Sequence, residues 1–130
     1  GSQINPWTAE QFAALGRGAN RIAETALVVD DNGRVIGYVV FAQVMDEASV
    51  HRIAVHPEYR GRGLGQALLR AAMSAMRCTG ASRCLLEVRR SNAVARRLYE
   101  ANGFGLDGVR KNYYPASSGR EDALLMSRTL

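Results

Sequence analysis

Apolar positions along the chain fall into short runs whose period changes twice. Residues 25–30, 34–44 and 48–55 carry strand-like runs, and the longest, Tyr38–Phe41 with its neighbours, reads as a buried strand. Asn32-Gly33, between the first two, is a strong two-residue hairpin signal. Pro57 blocks continuation of the third run. From Leu64 onward Leu64, Leu68, Ala71, Ala72 and Ala75 recur at helical spacing, which predicts a helix over 64–78 with Gly80 as its stop. Residues 82–88 return to a strand pattern, and 92–101 predict a second amphipathic helix ending at Gly103. Two last strands are expected at 104–114 and 122–129, joined by a Pro115–Gly119 loop. Ahead of all these, Thr8-Ala9-Glu10-Gln11 reads as a capping box opening a short helix toward Leu15.

This order, a hairpin-rich first half followed by strand–helix–strand–helix–strand–strand, predicts an α/β (α+β) fold: a mixed twisted sheet flanked by helices. The strand–helix–strand unit at its centre should be a right-handed parallel crossover. No repeat, linker or compositional break divides the chain, and 130 residues suffice for one core, so residues 1–130 are read as a single domain. Gly1-Ser2 reads as a cloning scar and is left out of this expectation.

Composition narrows the class. With 47% hydrophobic and 22% charged residues the chain has ordinary globular usage, which argues against disorder. No apolar run approaches the ~18 residues of a membrane span. Cys78 and Cys84 make neither a metal pattern nor a disulfide framework and read as two buried thiols in a reducing cytosol; a monomer is the default. His51 and His56 have no Cys or His partner at ligand spacing, so no metal is expected. The net charge of +5 comes almost wholly from arginine, with Lys111 the one lysine, and suits a polyanionic ligand. No aromatic-interleaved basic tract is present, so direct nucleic-acid readout is not expected.

The chemistry concentrates where the period changes, at His56-Pro57-Glu58-Tyr59-Arg60-Gly61-Arg62-Gly63-Leu64-Gly65-Gln66. A Walker loop needs a lysine that this turn lacks, and a dinucleotide fingerprint needs a third glycine where Gln66 or Leu68 stands. What remains is Arg60-x-x-Gly63-x-Gly65, after a strand and opening a helix. Consecutive N–H groups from Gly61 to Gln66 at a helix start can face a pyrophosphate, with Arg60 and Arg62 adding charge.

This turn resembles the coenzyme A motif of the GNAT N-acetyltransferases. The preceding Ile53-Ala54-Val55 is similar to the strand end whose main chain, in that family, pairs with the pantetheine arm. The resemblance continues through Leu86-Glu87-Val88-Arg89-Arg90-Ser91-Asn92 and Leu98-Tyr99-Glu100-Ala101-Asn102-Gly103-Phe104. It narrows at Asn112-Tyr113-Tyr114-Pro115 and Gly119-Arg120-Glu121-Asp122-Ala123, which resemble the RimI-type ribosomal-protein-alanine N-acetyltransferases. Members usually carry a further strand and helix ahead of the Pro6-Trp7 segment, where this chain nearly begins; a missing edge strand would expose pairing groups.

The resemblance implies acetyl-CoA as co-substrate, Glu87 as general base acting through water, Tyr99 as the acid that protonates the departing sulfur, and Asn92 as a cofactor contact. Glu87 lies in a nearly unbroken apolar strand, where a carboxyl is partly desolvated. Asn92 and Tyr99 stand seven residues apart on one helix, so both can face one cleft. The implied acceptor is the N-terminal alanine of a small-subunit ribosomal protein, with Tyr113 and Tyr114 shaping the cleft. Magnitude favours such an amine: at pH 7 deprotonating an α-ammonium costs roughly 1 kcal/mol and a lysine ammonium roughly 4.6 kcal/mol. Alternatives are acetylation of lysines, small amines or aminoacyl-tRNA, and a non-catalytic acetyl-CoA-binding module.

Overall fold

The structure, a computed structural model, describes residues 2–7 (main chain only), 23–117 and 119–130; the capping box at Thr8 lies outside them. The first hairpin forms where Asn32 and Gly33 take left-handed φ values of 52° and 85°, the geometry of a two-residue hairpin turn. It joins β2 (Glu24–Asp31) to β3 (Arg34–Val44), and β4 (Glu47–Val55) follows antiparallel to β3. A 3-10 turn at Pro57–Tyr59 and the glycine turn lead into helix α1 (Leu64–Cys78), then β5 (Arg83–Arg89), helix α2 (Ala93–Ala101), β6 (Gly105–Ala116) and β7 (Gly119–Thr129).

The strands form one mixed sheet in the order β1-β2-β3-β4-β5-β7-β6, where β1 is Ser2–Trp7. β4 and β5 are the parallel pair, as the crossover through α1 requires, and the other neighbours are antiparallel. Side chains alternate across the sheet. Ala48, Val50, Cys84, Leu86 and Val88 turn inward to a core shared with Leu68, Leu69, Ala72, Met73 and Met76 of α1. Ser49, His51, Leu85 and Glu87 therefore face the opposite side.

Three features differ from expectation. β1 occupies the edge beside β2 and includes Ser2, which had been set aside as a scar. Strand pairing in the last hairpin persists through Pro115↔Arg120 and Ala116↔Gly119, where a loop was expected. Pro115 is tolerated there because β6 is an edge strand and needs no donor on its outer side. Cys84 is buried, with its thiol pushed up to about 11 by desolvation, whereas Cys78 is exposed rather than buried.

Candidate active site

The site begins with a failure of strand pairing. β4 and β5 pair through Glu47↔Arg83, Ala48↔Cys84, Ser49↔Leu85 and Val50↔Leu86, and there the ladder stops, although β4 runs on to Val55 and β5 to Arg89. On its other edge β4 carries a bulge at the same level: Val40 stands opposite Arg52 and Phe41 opposite Val50, leaving His51 as the extra residue. A bulge bends its strand and ends pairing. The sheet is split from this point.

On the helix side the split opens into a cavity of about 530 Å³. Ile53, Ala54 and Val55 form one wall, the turn residues Tyr59, Arg60, Gly61, Gly63, Leu64, Gly65 and Gln66 its end, and Asn92, Val94, Ala95 and Leu98 of α2 the other wall. Gly61 and Gly63 sit at φ 79° and 78°, and Gly63 caps α1 with no side-chain hydrogen bond. The first bond of the helix is Ala67 N–H to Gly63 O, 3.0 Å. Among the described residues no acceptor meets the N–H groups of residues 61–66. This end thus presents unpaired donors together with the positive pole of α1. Arg60 folds back, its Nε donating to Val55 O at 3.3 Å, and among the described residues it is the one charged member of the lining.

Asn92 combines two tasks. Its Oδ1 accepts from Ala95 N–H at 3.2 Å, capping α2, and it lines the cavity. Arg62 does not reach the lining; its guanidinium lies 5.0 Å over the Tyr59 ring. Tyr59 is itself anchored by its hydroxyl, which donates to Asp31 Oδ2 at 2.8 Å and is held above the ordinary phenol range by that bond.

A second cavity, about 700 Å³, lies on the other face and holds Glu87 with His51, Arg110 and Tyr114. Among the described residues no hydrogen-bond partner meets the buried Oε1 of Glu87. Arg110 Nη1 stands 3.8 Å away, an ion pair too long for a hydrogen bond. A buried acceptor without a protein partner is uncommon in folded proteins, which singles this oxygen out as a candidate for a further contact. Burial first, then the neighbouring Glu87 charge, raises the Tyr114 phenol. Arg89 lies 4.4 Å over the Tyr114 ring and Arg110 5.3 Å over Tyr113, and the two rings meet edge to face at 5.0 Å.

The Gly119–Asp122 segment braces these tyrosines. Arg120 donates to the carbonyls of Asn112 and Tyr113 at 2.7 and 2.8 Å, and Asp122 accepts from Asn112 N–H at 3.0 Å. Glu121 accepts from Arg89 at 2.8 Å and Ser91 N–H at 3.2 Å. These bonds hold both carboxyls below the usual carboxylate range: Arg89 contributes most at Glu121, and the Asn112 amide at Asp122.

Tyr99 lies 5% exposed in the core, its ring 5.8 Å from that of Phe104. Burial pushes its phenol up to about 12, with a smaller push from Cys84. The shared cleft expected for Asn92 and Tyr99 is only half realised, because Leu98 and Ala95 form the wall and Tyr99 stands just behind it. Tyr113 is 43% exposed and lines neither cavity. Residues overlooked in the sequence include Tyr59, Val94, Ala95 and Leu98. Val94 is an apolar side chain 73% exposed on an otherwise amphipathic helix, a signal of a surface meant to be covered.

The acetyltransferase (GNAT) family model matches residues 2–104. The chain is 39% identical over 122 residues to the ribosomal-protein-bS18-alanine N-acetyltransferase of Escherichia coli K12, spanning 94% of this chain and 80% of that protein. Identity to the Salmonella typhimurium protein of the same name is 38% over 122 residues, with the same coverage. The crystal structure of the Escherichia coli ribosomal-protein-S18-alanine N-acetyltransferase superposes with a TM-score of 0.81 at 32% identity, over 98% of this chain and 93% of that one. With a family model matched over most of its length and relatives at 38–39% identity, the chain belongs to the GNAT family of acetyltransferases.

Proposed function

We propose that this protein transfers acetyl from acetyl-CoA directly to the α-amine of the N-terminal alanine of ribosomal protein bS18. The observation that carries the reading is the split between β4 and β5, with unpaired donors on one face and an orphan carboxylate oxygen on the other. The bS18 substrate itself is taken from the named activity of the relatives.

On this reading the amides of residues 61–66, with Arg60, hold the pyrophosphate, and the pantetheine arm lies along Ile53–Val55 in the place of a strand. Asn92 closes the opposite wall. The acceptor enters from the Glu87 face, with Tyr114 lining its path and Tyr113 backing the Tyr114 ring from outside the cavity. The neutral amine attacks, the C–N bond forms, Glu87 takes a proton from the adduct through a water, the C–S bond breaks, and the thiolate is protonated by Tyr99. A phenol near 12 and an ordinary thiol near 8.5 differ by roughly 5 kcal/mol in proton affinity. Desolvation in the cavity raises the basicity of the departing sulfur in the same direction, which narrows that gap. The protein acts in the cytoplasm, as a monomer, and needs no metal.

Intact-mass analysis of an alanine-starting bS18 peptide incubated with acetyl-CoA tests this. One acetyl group should appear on that peptide, and none on the same peptide blocked at its amine. Equal modification of a lysine-only peptide would favour a lysine acetyltransferase, and no calorimetric binding of coenzyme A would refute the entire reading.

A further inference from the structure

An ammonium group sheds two protons on its way to an amide, one before it can attack and one from the adduct after the C–N bond has formed. Glu87 accounts for one acceptor. We propose that His51 is the other: Nε2 of His51 takes the first proton from the incoming α-ammonium and passes it to solvent, leaving the nitrogen lone pair free to attack. This rests on the acetyl-transfer reading above.

Nδ1 of His51 lies 2.7 Å from Oε2 of Glu24, whose side chain is 8% exposed against 31% for the imidazole. A carboxylate oxygen can only accept, so Nδ1 carries the hydrogen, and in the neutral ring Nε2 keeps its lone pair. The pairing spans two strand spacings. Glu24 is in register with Ala42 on β3, and Ala42 with Ser49 on β4, so the small Ala42 leaves room for the carboxylate to reach over it. One step past the last β4–β5 pair stand His51 on one strand and Glu87 on the other, and both line the same cavity. A base held by a buried acid beside the path of the nucleophile is the arrangement that proton-abstracting sites use. An imidazole is also closer in basicity to an α-amine than a carboxylate is.

Among the described residues the charged or titratable groups around this ring are Glu24 on β2, Arg83 and Glu87 on β5, and Asp107, Arg110 and Tyr114 on β6. Arg83 is engaged by Asp107 at 3.3 Å and Arg110 by Glu87 at 3.8 Å. β7 contributes only Leu125 and Met126.

The test is kcat/KM of the full chain for an alanine-starting bS18 peptide from pH 6 to 9.5, in wild type, His51→Gln and Glu24→Gln. His51→Gln should lose about 10- to 100-fold at pH 6.5 and come within about threefold of wild type by pH 9, where the α-amine is already neutral. Glu24→Gln should show a smaller loss of the same form, with coenzyme A affinity retained in both. A loss equal at every pH would make the pair a mere brace of the sheet and overturn the proposal, as would an unchanged His51→Gln profile. Nitrogen-15 spectra of the two histidines should find Nε2 of His51 unprotonated at pH 8; a hydrogen there overturns it independently. A wild-type protein that leaves the peptide unmodified refutes the acetyl-transfer reading and this inference together, whereas an active wild type with a matching variant refutes this inference alone.

Discussion

Raising the pH should weaken the wild-type fold more than that of Tyr99→Phe. The Tyr99 phenol titrates near 12 in the folded protein and near 10 in an unfolded chain. Between those values the unfolded state has lost the proton and the folded state still holds it, so stability falls as pH rises through that window and is unaffected below it. Two pK units at about 1.36 kcal/mol each set a ceiling of roughly 3 kcal/mol, of which about 2 kcal/mol is gone by pH 11.5. Cys84 adds a similar loss between about 9 and 11, but it is present in both proteins and largely cancels in their difference. At neutral pH the variant should be no less stable, because no described residue hydrogen-bonds the Tyr99 hydroxyl and its removal leaves no partner stranded. Urea unfolding followed by far-ultraviolet circular dichroism at pH 9 and pH 11.5 measures the change. A wild-type-minus-variant difference that stays constant across that range would mean the phenol ionises as if in water. It would then lose the sheltered, protonated state that a donor to the leaving sulfur needs.

Glu87→Gln should lower kcat by about 10²- to 10⁴-fold while leaving coenzyme A affinity near normal, read by steady-state kinetics beside calorimetry, since the carboxyl lies on the face away from the cofactor cavity. Gly63→Ala meets open space but must adopt φ 78°, so it should cost roughly 1–2 kcal/mol in thermal unfolding and weaken coenzyme A binding by disturbing the mouth of α1. Leu69→Ala, at a fully buried position in α1, should cost about 2–5 kcal/mol in urea unfolding without changing the KM of the folded enzyme.

Helix α1 could be read from the sequence to the residue because its limits are local: Pro57 and the glycines before it, Gly80 after it, and a clean 3.6-residue period between. The first hairpin was equally plain, since Asn32-Gly33 admits few other conformations. Both surprises in the sheet involve proline. Pro6 in β1 and Pro115 in β6 suppress a strand reading, yet both strands lie at edges, and whether a strand is an edge is decided by the whole sheet. The same division holds at the site. The phosphate turn is one contiguous motif, and ten of the eleven expected cofactor contacts, all but Arg62, line one cavity. The phase of α2 was not legible, because Leu98 and Tyr99 are one residue apart and only packing against Phe104 and the core decides which faces the cleft. His51 was invisible as a partner of Glu24 because the two are 27 residues apart and meet only through the register of three strands.

The parting of β4 from β5 has a kinetic consequence. On the proposed reading, a slit through the middle of a sheet gives two reactants separate doors, one on the helical side and one on the reverse, and they meet inside its thickness. Neither must vacate the molecule before the other arrives, so no acyl group has to be parked on a side chain in the interval. Initial-rate lines at varied concentrations of both reactants should therefore converge to a point, where a relay through an acylated intermediate would draw them parallel.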